Sequence, residues 1–165
     1  WSRGLLDLRL QVNPMVDLAL VDTHYWVNVV NTLRAVEGMC DGNLYVSSSR
    51  LGRPKSKIYR SMERHRAPWN RIRMMEDPSS LKELMLSGIP TVSVELTPHA
   101  QHLTDFHWPL DPLIILGAED SGVPKEILDL SNSIVQIPMR GKVRCLNVAC
   151  AATAALYDYL FKTSR

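Results

Sequence analysis

The 165-residue chain contains only three cysteines, Cys40, Cys145 and Cys150, an odd number with Cys40 far from the other two. That excludes a disulfide framework and points to reduced thiols in an intracellular setting, the cytoplasm first and an organelle second. No apolar run approaches the ~20 residues that cross a bilayer, so no membrane partner is expected. The first ten residues carry charge among their apolar positions, unlike a signal peptide. The missing initiator methionine fits a processed chain or an excised domain. There is no internal repeat, no low-complexity segment and no domain boundary, so residues 1–165 read as one domain. His99, His102 and His107 have no cysteine or paired carboxylate to complete a metal set, and no metal is expected. No Ser-His-Asp arrangement is recognisable.

What is present is an ordinary globular composition, 45% apolar and 22% charged. The net charge of +2 conceals an asymmetry. Between Arg50 and Arg73 lie nine basic residues and a single acid, Glu63. That stretch is +8 and the rest of the chain −6. Tyr59 and Trp69 interrupt it. A local basic strip with aromatic interruptions is the footprint of a phosphate-backbone binder. Its candidate nucleic-acid contacts are Arg50, Arg53, Lys55, Lys57, Arg60, Arg64 and Arg66. A solvated helix face is the plainer alternative.

Apolar runs alternate with helical patterns. Met15–Val21, Asn43–Ser48, Arg71–Met75, Thr91–Leu96, Leu113–Gly117 and Ser133–Ile137 read as strands. Val27–Met39, part of Arg53–Arg66, Pro78–Ser87, Pro124–Leu130 and Cys145–Lys162 read as helices. His99–Pro112 reads as irregular. The alternation predicts a parallel α/β sheet with helices on both faces. In such sheets ligands bind beyond the carboxyl ends of strands. That rule selects the loops after Val21, Leu116 and Ile137.

Each of these loops carries unusual residues. "LGAEDSGVP" has two glycines but lacks the Lys-Ser/Thr of a phosphate loop, and it fails the dinucleotide spacing too. Glu119 there is either a solvated turn residue or a hydrogen-bond acceptor in a cleft. In "HYWVNVVNTLRAVEGM", Asn28 caps a helix or serves a site. Arg34 lies among Val30, Leu33 and Val36, and is either a surface cation or a phosphate clamp. In "IPMRGKVRCLNVACAATAALYDYL", Pro138 ends a strand and Gly141 lets backbone approach a ligand. Asn147 can orient a substrate hydroxyl, and the alanine-rich run that follows permits close helix packing.

Taken together, the three loops resemble the signature motifs of the SpoU/TrmH branch of the SPOUT superfamily, S-adenosylmethionine-dependent RNA ribose 2′-O-methyltransferases. The first motif matches at Asn28 and Arg34, with Val30 in place of a glycine. His24, four residues before the Asn, is a feature of the tRNA guanosine members. The second matches at Gly117, Glu119 and Gly122. The third matches at Ile137, Pro138, Met139, Gly141, Leu146 and Asn147, with Cys145 where the family usually has Ser. The resemblance spans about Asp17 to Leu160, nearly the whole chain.

It implies a parallel-sheet α/β fold whose C-terminal helix threads a deep trefoil knot, an exception to the usual rule against knots. It implies S-adenosylmethionine bound at Val94 or Glu95, Gly117, Ile137, Met139, Cys145 and Leu146, and a homodimer formed by the last helix and the first-motif region. The implied reaction moves a methyl group to a ribose 2′-hydroxyl, of a tRNA guanosine first and of ribosomal RNA second. Arg34 would bind the target phosphate, Asn147 would orient the hydroxyl, and Glu119 and Asn28 would hold Arg34. A non-catalytic RNA-binding module of the same fold and an unrelated α/β enzyme are the competing readings.

Overall fold

The computed structural model describes residues 13–58, 60, 69–75 and 78–163. Seven strands, β1 (Asp17–Val21), β2 (Leu44–Ser47), β3 (Ile72–Met75), β4 (Thr91–Val94), β5 (Gln101–His102), β6 (Leu113–Leu116) and β7 (Ser133–Gln136), form one sheet. Its order is β3-β2-β1-β6-β4-β7-β5, and every pairing is parallel. The described helices are α1 (Trp26–Met39), α2 (Pro78–Leu86), α3 (Lys125–Leu128) and α4 (Val148–Thr163), with a further helical turn at residues 56–58.

The central strands are short and mostly apolar because both faces of the sheet are covered there. Side chains alternate across the pleat. Leu18 and Leu20 of β1, with Ile114 and Leu116 of β6, face a core shared with α1 and α4. Ala19, Val21, Leu113 and Ile115 face the opposite core, against Leu81 and Met85 of α2 and Ile127 of α3. Burying each such Leu, Ile or Val stabilises the fold by roughly 1.5–3 kcal/mol.

On the first face, Val29, Leu33 and Val36 of α1 meet Ala152, Ala155 and Leu156 of α4. Ala152 and Ala155 are fully buried, so the alanine run brings the two helices close. Arg71 fastens the end of α1. Its Nε lies 2.8 Å from Glu37, its NH2 3.2 Å from Asp41, and its NH1 donates to the Cys40 carbonyl at 2.9 Å. A cation at that terminus also complements the helix dipole.

Two elements differ from expectation. The segment His99–Pro112 contains β5 and a 3-10 turn at Leu103–Asp105. Both residues of β5 are exposed, so no apolar run marks it. The last helix begins at Val148 rather than Cys145, because the Asn147 side chain accepts from the Ala149 N–H at 3.0 Å and caps it there. Arg64, Arg66 and half of the basic segment Arg53–Arg66 lie outside the described residues. No helix among the described residues is long and apolar enough to cross a membrane.

Candidate active site

The three loops after β1, β6 and β7 meet at the carboxyl edge of the sheet. Asp22 takes a left-handed backbone, φ 54°, and turns the chain so that Thr23 and His24 face the second loop. The carboxylate of Glu119 is the hub. Its Oε1 accepts from Thr23 Oγ1 at 2.9 Å and from Asn28 Nδ2. Its Oε2 accepts from the His24 N–H at 3.2 Å. Asn147 Nδ2 then donates to Asn28 Oδ1 at 3.0 Å.

This chain of bonds has a fixed direction. An ionised carboxylate only accepts, so Asn28 must turn its amide nitrogen to Glu119. Its oxygen therefore faces Asn147, whose nitrogen must donate. The Asn147 oxygen is left for the Ala149 N–H, which only donates. Both ends select the same orientation, and one amide hydrogen of Asn147 remains for a ligand.

The charge of Glu119 is maintained by these bonds. Partial burial alone pushes its pKa up, but hydrogen bonds from its own backbone, Asn28, Thr23 and His24 outweigh that and hold it below the usual glutamate value. Asp120, next along, is held below the usual aspartate value chiefly by hydrogen bonds from Arg50. The guanidinium is bidentate, NH1 to Oδ2 at 3.2 Å and NH2 to Oδ1 at 3.3 Å. The same NH2 donates to the Asp22 carbonyl at 3.2 Å. Arg50 thus ties the first loop to the second from outside, as Glu119 does from within.

Beside this network lies a cleft of about 640 Å³, within the range of small-molecule and cofactor sites. Val94, Glu95, Gly117, Ile137, Met139, Cys145 and Leu146 line it together with Glu119. Glu95 also holds the wall. Its Oε2 accepts from the Val123 N–H at 2.7 Å, and its Oε1 from the Leu96 N–H at 2.8 Å. The second loop closes so tightly that a Cβ on Gly117 would lie 1.9 Å from the Gly122 carbonyl carbon.

Residues 15–157 match the SpoU rRNA Methylase family. The chain belongs to that family. A tRNA (guanosine(18)-2'-O)-methyltransferase from Aquifex aeolicus is 26% identical over 136 residues, 82% of this chain and 62% of that protein. The chain thus spans less than two thirds of its length, and smaller shares of other curated relatives it matches. Among solved structures, one described for the 2-OH methylation of C/U34 on tRNA has a TM-score of 0.79 at 22% identity, over 92% of this chain and 99% of that one. The SpoU methyltransferase AviRb from Streptomyces viridochromogenes, in complex with the cofactor AdoMet, has a TM-score of 0.75 at 22% identity. It covers 95% of this chain and 61% of that one.

In this SpoU chain the structure brings Asn28, Glu119 and Asn147 together. Arg34 is elsewhere. It is exposed on α1, about 120° around the helix from Asn28 at 3.6 residues per turn. The expectation that Glu119 and Asn28 hold Arg34 is therefore corrected within one chain: they hold each other and Thr23. Arg50, expected on RNA, is engaged by Asp120. Arg53, Lys55, Lys57 and Arg60 are exposed, and their side chains make no ion pair among the described residues. Among those residues no group of three or more His, Cys, Asp or Glu is placed to hold a metal. Thr23, fully buried, and Asp120 are the participants that sequence reasoning missed.

Proposed function

We propose that the chain is an S-adenosylmethionine-dependent RNA methyltransferase that modifies a ribose 2′-hydroxyl, of a tRNA guanosine first. Family membership supports the reaction class, and the relatives named above support tRNA. The observation that carries the reading is geometric: the Glu119–Asn28–Asn147 chain opens beside a cleft lined by every position expected to hold the cofactor. The cleft's size and its partly apolar wall fit a ligand of the cofactor's dimensions. S-adenosylmethionine, when bound, supplies an electrophilic methyl group. The chain's own residues position the acceptor. Asn147 offers its remaining N–H to the ribose oxygen, and Asn28 and Glu119 prevent the amide from flipping.

Arg34 enters through a second copy. A groove of about 540 Å³ runs between α1 and α4, lined by Asn31, Ala154, Tyr157 and also Asn147. Tyr157 is 62% exposed and Phe161 67%. A homodimer across this face would cover them and place Arg34 near the partner's site, where it would bind the target phosphate. A trefoil knot at the C-terminal helix completes the reading. Strand order supports it, since β6 and β7 insert beside β4 after the chain has passed both places. The three unpaired thiols support an intracellular setting.

Calorimetry with S-adenosylmethionine, followed by methyl transfer to total tRNA and mapping of the modified nucleotide, tests the reading. Binding and transfer are expected from the wild type, and transfer but not cofactor binding is lost in Arg34→Ala. A chain that binds RNA but no cofactor would make it a non-catalytic module.

A further inference from the structure

We propose that the loop 140–144, Arg-Gly-Lys-Val-Arg, is a second phosphate-contacting site for RNA, on the lip of the cleft and separate from the basic strip. The proposal rests on the reading above and adds where the sugar-phosphate chain is gripped.

Residues 138–147 have no regular structure and all are exposed. Three cations, Arg140, Lys142 and Arg144, occupy five positions with no acid among them. None of the three makes a side-chain hydrogen bond or ion pair with the described residues. That contrasts with Arg50 and Arg71, which are spent on Asp120, Glu37 and Asp41. Nor do the nearby carboxylates claim them. Glu119 is filled by Thr23, His24 and Asn28, Glu95 by two backbone N–H groups, and Asp120 by Arg50.

The cations are placed for this use. Arg144, with Met139, Gly141 and Cys145 of the same loop, lines the cleft. A Cβ built on Gly141 would meet nothing within 4 Å, so the loop's backbone is open to a ligand. Asn147 closes the loop and is anchored to Asn28 at 3.0 Å. A ribose 2′-oxygen is borne on the carbon next to the one esterified by the 3′ phosphate. A site that presents Asn147 to that oxygen therefore has a phosphate within a few bonds, and the unpaired cations a few residues before Asn147 are matched to it.

The test compares wild type with the triple variant Arg140→Gln, Lys142→Gln, Arg144→Gln. Affinity for total tRNA is measured by fluorescence anisotropy across a salt series, and affinity for S-adenosylmethionine by calorimetry. RNA affinity should fall at least about tenfold at low salt, and the slope of log K against log salt should flatten by about 2, at 0.7–0.9 per lost phosphate contact. Cofactor affinity should stay within about threefold in Lys142→Gln, since Lys142, unlike Arg144, is not among the residues lining the cleft, a limit set by a loss under one kcal/mol. Lys142→Gln alone, which leaves the cleft lining intact, should flatten the slope by about one contact. Unchanged RNA affinity and slope in both variants would overturn the loop's role while leaving the methyltransferase reading standing. Equal losses of cofactor and RNA affinity would also overturn it, because the loop would then be cofactor wall. A wild type that binds no RNA overturns both.

Discussion

Glu119→Gln removes one charge and changes almost no volume, so it isolates the hub. The carboxylate receives Thr23 and Asn28 on one oxygen and the His24 N–H on the other. Glutamine has a single acceptor oxygen. Turned toward Thr23 and Asn28, it sets its NH2 against the His24 N–H. Turned the other way, it forces Asn28 and Asn147 to flip until a donor meets the Ala149 N–H. Either choice leaves one inward donor unpaired, at about 1–3 kcal/mol, and the bonds that remain fall from charge-assisted to neutral strength. The loss at neutral pH should be about 2–4 kcal/mol, or a Tm lower by about 4–16 °C for a chain of this size. The effect depends on pH in a known direction. Glu119 is held below the usual glutamate value of about 4.3 in the fold. Its stabilisation is therefore fully present above that pH and drains away as pH falls through the folded value. Thermal unfolding followed by circular dichroism at pH 7 and near pH 3.5 should show a gap between wild type and variant that narrows in acid. Equal Tm at pH 7, or a gap of the same size at both values, would refute the hub.

Two further substitutions give sharper losses in binding than in stability. Gly122 has φ 70°, and a Cβ there would lie 2.3 Å from Glu95 Oε2. Gly122→Ala should cost about 1–2 kcal/mol in backbone strain and dislodge Glu95 from the Val123 N–H, so S-adenosylmethionine affinity by calorimetry should drop; full affinity would remove Glu95 from the wall. Arg50→Ala should lower kcat and cofactor affinity, with tRNA affinity nearly unchanged, if the guanidinium ties the first two loops together. A rise in the tRNA KM alone, with kcat intact, would return Arg50 to the RNA surface.

Six of the seven described strands were legible because a buried parallel strand is a continuous apolar run, as in Leu113–Leu116, and because glycine and proline punctuate the loops that follow; the exposed β5 was not. The cleft was legible because its wall is built at those punctuated ends. Thr23 was not, since a threonine after a strand reads as turn filler and its partner Glu119 is 96 residues away. The start of α4 differs because Cys145 and Leu146 are helix-compatible, while the side chain that sets the helix start, Asn147, acts through a single cap. Charge counting had a different failing. It sums residues that the fold separates: Arg50 and Arg71 neutralise specific carboxylates, whereas Arg140, Lys142 and Arg144, outside the strip, have no such partner among the described residues. The sign of a segment is visible in sequence, but which of its cations are free for a phosphate depends on which acids the fold brings within reach. Arg34 makes the same point within one helix. Asn28 and Arg34 share a motif, yet six residues at 3.6 per turn set them on different faces. A single chain therefore directs the amide to its own cleft and leaves the guanidinium on the exposed side of the helix, available to the second copy proposed above.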